Sequence, residues 1–349
     1  MDSIPNSKRY TVTKTSLPPC CLRIHPVDPT KLFIGTYKLE DNGTRHGSLD
    51  YYTYVNHTLT LVSSIPTPHG AILDVKFSPY DPGLIVTAHS NGHVLIWFFS
   101  DKHDELALLR DVTIDETTLI TSCFFNPNDK PSELLITCTN GTLGILDLTT
   151  DEVTYFDTTH SLECWTGSFG EAGELRHVAY TGGDDGKLIA HDTRTGEAIW
   201  SLARGHEAGV VSILSLGPGW NATNPHVLWT GAYDDTLRVW DLRVVDRENP
   251  ALISGMIPRK KHEENLGGGV WRLVPCPADS DDRVLVCCMY DGARIVDVGE
   301  GDLFEMKRYF KGDHESMCYG GDWSCDGKYV ATCSFYDNVV QIWSPDECT

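Results

Sequence analysis

The stretch TGAYDDTLRVWD, Thr230 to Asp241, returns along the chain as TGGDDGKLIAHD from Thr181 and as CSFYDNVVQIWS from Cys333. Weaker copies are RHGSLDYY from Arg45, AHSNGHVLIWF from Ala88, CTNGTLGILD from Cys138 and CCMYDGARIVD from Cys287. That makes seven copies. A repeat of this length constrains the fold more than any composition does, because one unit cannot bury its apolar face alone and must stack on its neighbours. The position held by Trp240 falls on Tyr52, Trp97, Leu146, His191, about Val296, and Trp343, a spacing of roughly 45 to 57 residues that suits propeller blades. Before the copies lie alternating runs such as AILDVKFSP, CWTGSF and CYGGDWS, and after them runs such as LTLVSSI and LALLRDV. Period-two alternation bounded by Pro, Gly, Asn and Asp predicts short antiparallel strands, four to a unit.

The last copy stops after three strands, and RYTVTKT, Arg9 to Thr15, is a spare strand near the start. Set beside the seventh copy it closes the ring and removes an exposed edge. The expected fold is all-β: one seven-bladed propeller over residues 1–349, with 8–16 as the closing strand. The blades are expected at 17–66, 67–115, 116–158, 159–203, 204–260, 264–311 and 313–347. Trp240–Asp241, Gly205–His206 and the turn Asp234 resemble the WD-repeat family, which implies that His206, Asp234 and Trp240 form a structural hydrogen-bonded set. His191, standing where other copies have Trp, reads as a packed core residue. Copies one, three and six depart from the pattern.

With 41% hydrophobic and 10% aromatic residues in 349, the chain can bury a large core. The opening MDSIPNSKRY lacks the apolar run of a signal peptide, and no stretch approaches the ~18 apolar residues of a membrane span, which predicts a cytoplasmic chain with no membrane partner. Twelve scattered cysteines form no CxxC pair, so reduced thiols and no metal site are expected. Sequons at Asn42, Asn56, Asn140 and Asn221 would stay idle in that compartment. A net charge of −21 argues against general nucleic-acid binding and suits a basic or cationic partner.

Interest then moves to residues the repeat does not require. One face of the ring is expected to gather the loops that lead into the innermost strands, with His69, Glu163, Cys164, Trp165, Glu207, the LGGGVW stretch containing Gly268 and Trp271, and DHESMCYGG. Tight turns add His89, Asp184, Tyr233, Tyr290 and Tyr336. Three Tyr beside two Trp, with Asp184, Glu163 and Glu207 near them, would make an acidic aromatic rim able to hold a quaternary ammonium by cation–π attraction; each Tyr has packing on the next blade as its other role. For hydrolysis there is no GxSxG elbow. Candidate bases are His69, His89, His206 and His314, and candidate nucleophiles are Cys164, Cys318 and Ser316. Asp185 takes the structural turn position, which leaves Asp184 for the channel. LGGGVW is no phosphate loop, but its backbone N–H groups, Gly267 to Gly269, are placed to meet an oxyanion.

Several phrases outside the repeat are more specific: LPPCCLRI, GSLDYY, GAILDVKFSP, ECWTGSFG, HEAGVVSI, LGGGVWRL, VLVCCMYDGA, SMCYGGDWS and ATCSFYDN. Together, from Leu17 to Trp343, they resemble the diphthine methyl ester hydrolase family of diphthamide biosynthesis. The resemblance implies an esterase that needs no cofactor and removes the methyl ester of methylated diphthine on elongation factor 2 before an ATP-dependent amidation. On that reading His206 or His314 is the general base, acting on water or on Cys318, with Asp184 as a further catalytic group. A noncatalytic adaptor presenting the modified factor to the amidating enzyme is the alternative, since propellers bind proteins more often than they hydrolyse esters. A methyltransferase is disfavoured by the lack of a Gly-rich βαβ unit.

Overall fold

Runs such as HVLIWFFS and TLRVWD are apolar on both faces, so a sheet built from them must be covered on each side by another sheet. In the computed structural model, which describes residues 4–171, 173–215, 226–243, 258–278, 282–299 and 303–349, seven four-stranded antiparallel sheets solve this by standing side by side in a ring. Their innermost strands are Pro19–Ile24, Ile72–Phe77, Ile120–Asn126, Cys164–Phe169, Val210–Ser215, Arg272–Pro275 and Cys318–Trp323. Each packs on the next, and the seventh packs on the first. The fourth strand of the seventh blade comes from the other end of the chain: Ser7–Lys14 runs antiparallel to Val339–Cys348, with Thr13 opposite Val340. The ring therefore closes with a strand borrowed from the N-terminal segment, as the spare RYTVTKT strand predicts.

Apolar side chains fill the wedges between blades. Between the second and third, Val86, Val94 and Ile96 meet Ile136 and Leu146; between the sixth and seventh, Leu285, Ile295 and Phe310 meet Trp323 and Trp343. The repeat's Trp position shares a local device. Pairing to the outer strand slips by one residue just before Tyr52, Trp97, His191, Trp240 and Val296. This places the sixth copy at Val296, opposite Val284. Where the residue is Trp, its indole N–H donates to a buried threonine hydroxyl: Trp97 to Thr87 at 2.8 Å, Trp240 to Thr230 at 2.7 Å and Trp343 to Thr332 at 3.1 Å. A buried donor left unpaired would cost about 1–3 kcal/mol.

The fifth blade differs from expectation at its edge. Its outer strand is Arg259–Asn265, so the blade runs beyond 260 because the hairpin pairs out to Thr236 with Asn265. In the first blade a two-residue hairpin, Lys38–Leu39 against Arg45–His46, rises between the second and third strands. Of the sequon asparagines, Asn42 and Asn140 shape turns by accepting the N–H of Thr44 and Thr142; Asn221 lies outside the described residues.

Candidate functional site

Near the start of six innermost strands the pairing register skips one residue: between Pro19 and Cys21, Ile72 and Asp74, Ile120 and Ser122, Cys164 and Thr166, Val210 and Ser212, and Cys318 and Gly320. A skipped residue is released from the ladder and re-aimed. Here the released residues are Cys20, Leu73, Thr121, Trp165, Val211 and Tyr319, and all six line one cavity of about 610 Å³ at the centre of the ring. Trp271, just ahead of the sixth innermost strand, completes the set. Loops at the mouth add Tyr37, Leu39, Tyr233, Phe335 and Tyr336.

Seven aromatic rings form a continuous arc around this cavity. Trp271 stands 5.7 Å from Trp165, 5.9 Å from Tyr233 and 4.8 Å from Tyr319, centroid to centroid. The arc continues from Tyr319 to Phe335 at 5.6 Å, and from Phe335 to Tyr336 at 4.9 Å and Tyr37 at 6.0 Å. It spans the fourth to the first blade. At its fourth-blade end the Trp165 indole N–H donates to Asp184 Oδ1 at 2.6 Å. Burial raises the Asp184 carboxyl above its ordinary value, against the pull of the Trp165 bond, and Glu163 and Asp185 push it the same way. Gly209 permits this crowding: a Cβ there would stand 2.8 Å from Asp184 Oδ1 and 3.0 Å from the Tyr233 ring.

Charge lies along the channel wall. Arg272 lines the cavity and donates through Nη2 to Asp74 Oδ1 at 3.2 Å, across the channel from the sixth blade to the second. Lys76 Nζ donates to the other oxygen of Asp74 at 2.5 Å, and Arg23 donates to Asp322 at 3.3 Å. Burial works against the charge on Arg272, but Asp74 together with the neighbouring cysteines Cys20, Cys21 and Cys287 raises it above its ordinary value. Lys76, buried more heavily than Asp74 can offset, is lowered to about 8.

Two kinds of likeness bear on this site. The WD domain, G-beta repeat family matches residues 196–241 and 306–344. A diphthine methyltransferase of Saccharomyces cerevisiae is 39% identical over 98% of this chain and 100% of its own length. The chain belongs to the diphthine methyltransferase family. A Schizosaccharomyces pombe member is 34% identical over 97% of both chains, and the Homo sapiens member is 25% identical over 83% of this chain and 64% of its own. Among solved structures, a chain of a mitotic checkpoint complex superposes with a TM-score of 0.73 over 99% of this chain and 94% of that one, at 13% identity, a likeness of fold alone. The family's name, as its members carry it, speaks of a methyl-related step on diphthine.

Of the residues singled out from sequence, Trp165, Tyr233, Trp271 and Tyr336 line the cavity, and Asp184 is tied to it through Trp165. Glu163 stands beside Asp184. The others go elsewhere. His206 Nε2 bonds Thr230 Oγ1 at 2.8 Å beneath Trp240, and burial lowers the ring to about 4. His314 repeats this with Thr332 at 2.8 Å under Trp343 and is also lowered to about 4. Cys318 is fully buried against Cys287, which together with burial holds its thiol far above the ordinary value. Both imidazoles and the thiol are thus parts of the blade interior, correcting their assignment as base and nucleophile. His89 is buried between Thr87 and the His69 carbonyl and lowered to about 3 by burial.

His69 stacks on His93 at 4.0 Å, and the two rings meet the two oxygens of Asp111 at 2.5 and 2.7 Å. Among the described residues this is the single trio with metal-ligating atoms in reach of one another, but Asp111 already holds both rings. Glu207 is exposed and donates its N–H to Asp234. Tyr290, 47% exposed, donates to Asp235 at 2.5 Å and does not line the cavity. Gly267 N–H is taken by Asn265, Gly268 is packed so closely on the Cys288 carbonyl that a Cβ would sit 2.2 Å from it, and none of Gly267 to Gly269 is among the residues that line the cavity.

Sequence reasoning missed Tyr37, Phe335, Cys20 and Arg272, and brought Tyr319 to the face only as an unnamed member of DHESMCYGG. Tyr319, Phe335, Cys20 and Arg272 all stand inside phrases that mark the family, and Arg272 is an unusual charge on an innermost strand. Cys20 is no thiolate, since burial pushes it up to about 12.

Proposed function

We propose that the protein hydrolyses the methyl ester of methylated diphthine on elongation factor 2, giving diphthine and methanol, as a step of diphthamide biosynthesis. The observation that carries this reading is the seven-ring arc with an acidic end. A trimethylammonium group on a protein side chain needs aromatic faces within about 6 Å and a nearby negative charge, and it gains roughly 0.5–2 kcal/mol per good cation–π contact. The cavity has room for one modified side chain inserted from a larger partner. Family membership supports a methyl-related step on diphthine, and hydrolysis is the one such step whose only co-substrate is water.

The chemistry is written on water. Its oxygen adds to the ester carbonyl carbon while Asp184 takes a proton; the carbon–methoxy bond then breaks, methoxide leaves as methanol with that proton, and the carboxylic acid ionises. Glu163 and the Trp165, Tyr233 and Trp271 rings hold the ammonium. An adaptor that only presents the modified side chain is favoured by one fact: among the described residues the lining contains no histidine and no carboxylate, and Asp184 meets it through Trp165. Intact mass decides between the two. Purified protein incubated with elongation factor 2 bearing methylated diphthine, with no added cofactor, is expected to remove one methyl and release methanol. Tight binding with unchanged mass would establish the adaptor instead.

A further inference from the structure

The innermost strands of the seven blades carry only five charged residues: Arg23, Asp74, Lys76, Arg272 and Asp322. Three are cations and two are carboxylates, while Asp184 and Glu163 stand at the fourth-blade end of the arc, so the cavity sets a cationic stretch of wall apart from an acidic end. Charge of opposite sign at the two ends suits a ligand that carries both signs. Asp74 is shared by Lys76 and Arg272, one on each oxygen, and Asp322 is engaged by Arg23. Of the three cations, Arg272 is the one that lines the cavity. It follows Trp271 in sequence, so it sits next to the ring at the centre of the aromatic arc. Its guanidinium is fixed on one side by Asp74 and by Nε donation to the Tyr319 carbonyl at 3.4 Å.

We infer that the cavity is a two-ended site for betaine-type groups, in which the aromatic arc takes the quaternary ammonium and Arg272 takes the carboxyl of the same molecule. The inference deepens the esterase reading and rests on it for the protein-borne substrate. In the ester the guanidinium faces a carbonyl oxygen, and as water adds, that oxygen gains the negative charge that a preorganised donor stabilises best. After methanol leaves, the same fork meets a carboxylate, the partner its geometry fits. Recognition of the product is thereby built into the wall. The other cation on the lining, Lys38, stands on the first-blade hairpin at the mouth.

The test uses free probes and the full chain, followed by calorimetry and by the change in tryptophan fluorescence that is lost in Trp165→Phe, Trp271→Phe. The zwitterion 4-(trimethylammonio)butanoate is compared with tetramethylammonium and with butanoate. The zwitterion is expected to bind at least tenfold tighter than tetramethylammonium. Arg272→Gln is expected to abolish that difference while leaving tetramethylammonium affinity within twofold, and Lys38→Met is expected to preserve it. Because Arg272→Gln leaves Asp74 with Lys76 as its one cationic partner, the double variant Asp74→Asn, Arg272→Gln is measured alongside, with melting recorded for each, and it too should lose the discrimination. Equal affinity for zwitterion and tetramethylammonium in the wild type would overturn the inference, as would discrimination that survives both Arg272 variants or that disappears with Lys38→Met. Loss of the inference by these outcomes leaves ester hydrolysis to be judged by mass. Intact discrimination with no hydrolysis would sink the activity and keep the site.

Discussion

His206, His314 and Cys318 have the chemistry of a catalytic set and the environment of a structural one. Each histidine accepts or donates to a threonine that also serves a tryptophan, so the imidazole satisfies a buried hydroxyl rather than a substrate. Replacing His206 or His314 by Gln is expected to cost about 1–2 kcal/mol in urea unfolding and to leave turnover per folded molecule unchanged. A pH consequence follows. His89, His206 and His314 are all held below the ordinary 6.5 by burial, so the unfolded chain takes up protons before the folded one does. Stability is complete above about pH 6.5 and falls as the pH drops towards 4, and His206→Gln should flatten part of that slope in melting curves. At the site itself, Trp271→Leu removes the ring on which three others converge. KM is expected to rise roughly tenfold or more, with a smaller change in kcat, if the ring binds the ammonium in ground and transition states alike.

Strands explain which part of the site was readable. The loops that lead into the innermost strands and the tight turns of the repeat share one face of the ring, and on that basis Trp165, Tyr233 and Tyr336 fall at the channel. The register skip at the second residue is not in the alternation. It acts on residues as unlike as Cys20, Leu73, Thr121 and Tyr319, so no shared side chain announces it, and only the ring of neighbours shows that all of them face one cavity. The charge on Arg272 was visible but had no partner in sequence, because Asp74 lies across the channel. The closing strand was legible, since a ring with an unpaired edge is a liability. Removing residues 1–14 leaves Val339–Cys348 open along its outer side; the truncated chain is expected to melt at least 10 °C lower and to associate, as seen by calorimetry and light scattering. The hairpin of Lys38–Leu39 and Arg45–His46 is tied to the arc by Arg45, whose Nε donates to Tyr37 at 2.8 Å. Exchanging residues 38–46 for a short Gly-Ser loop should preserve the melting temperature within a few degrees and raise KM.

The whole ring does what no blade does alone: it carries Trp165, Trp271, Tyr319 and Tyr37, from four blades, to one arc. Sevenfold repetition was legible because each copy needs its neighbours, whereas the chemistry of the mouth was not, because it belongs to the residues by which the copies differ. The acidic exterior also acts at this scale. If the partner docks a basic surface around the modified side chain, kcat/KM should fall as salt rises while kcat holds, through slower encounter. The most direct measurement is the intact mass of elongation factor 2 bearing methylated diphthine after incubation with wild type, Trp271→Leu, and Cys318→Ala, each shown to be folded. With substrate well below KM and the mass read at one early time, the account predicts that wild type and Cys318→Ala remove the methyl and that Trp271→Leu is at least about tenfold slower. A Trp271→Leu rate equal to wild type under those conditions, or a folded Cys318→Ala that leaves the ester intact, would contradict it.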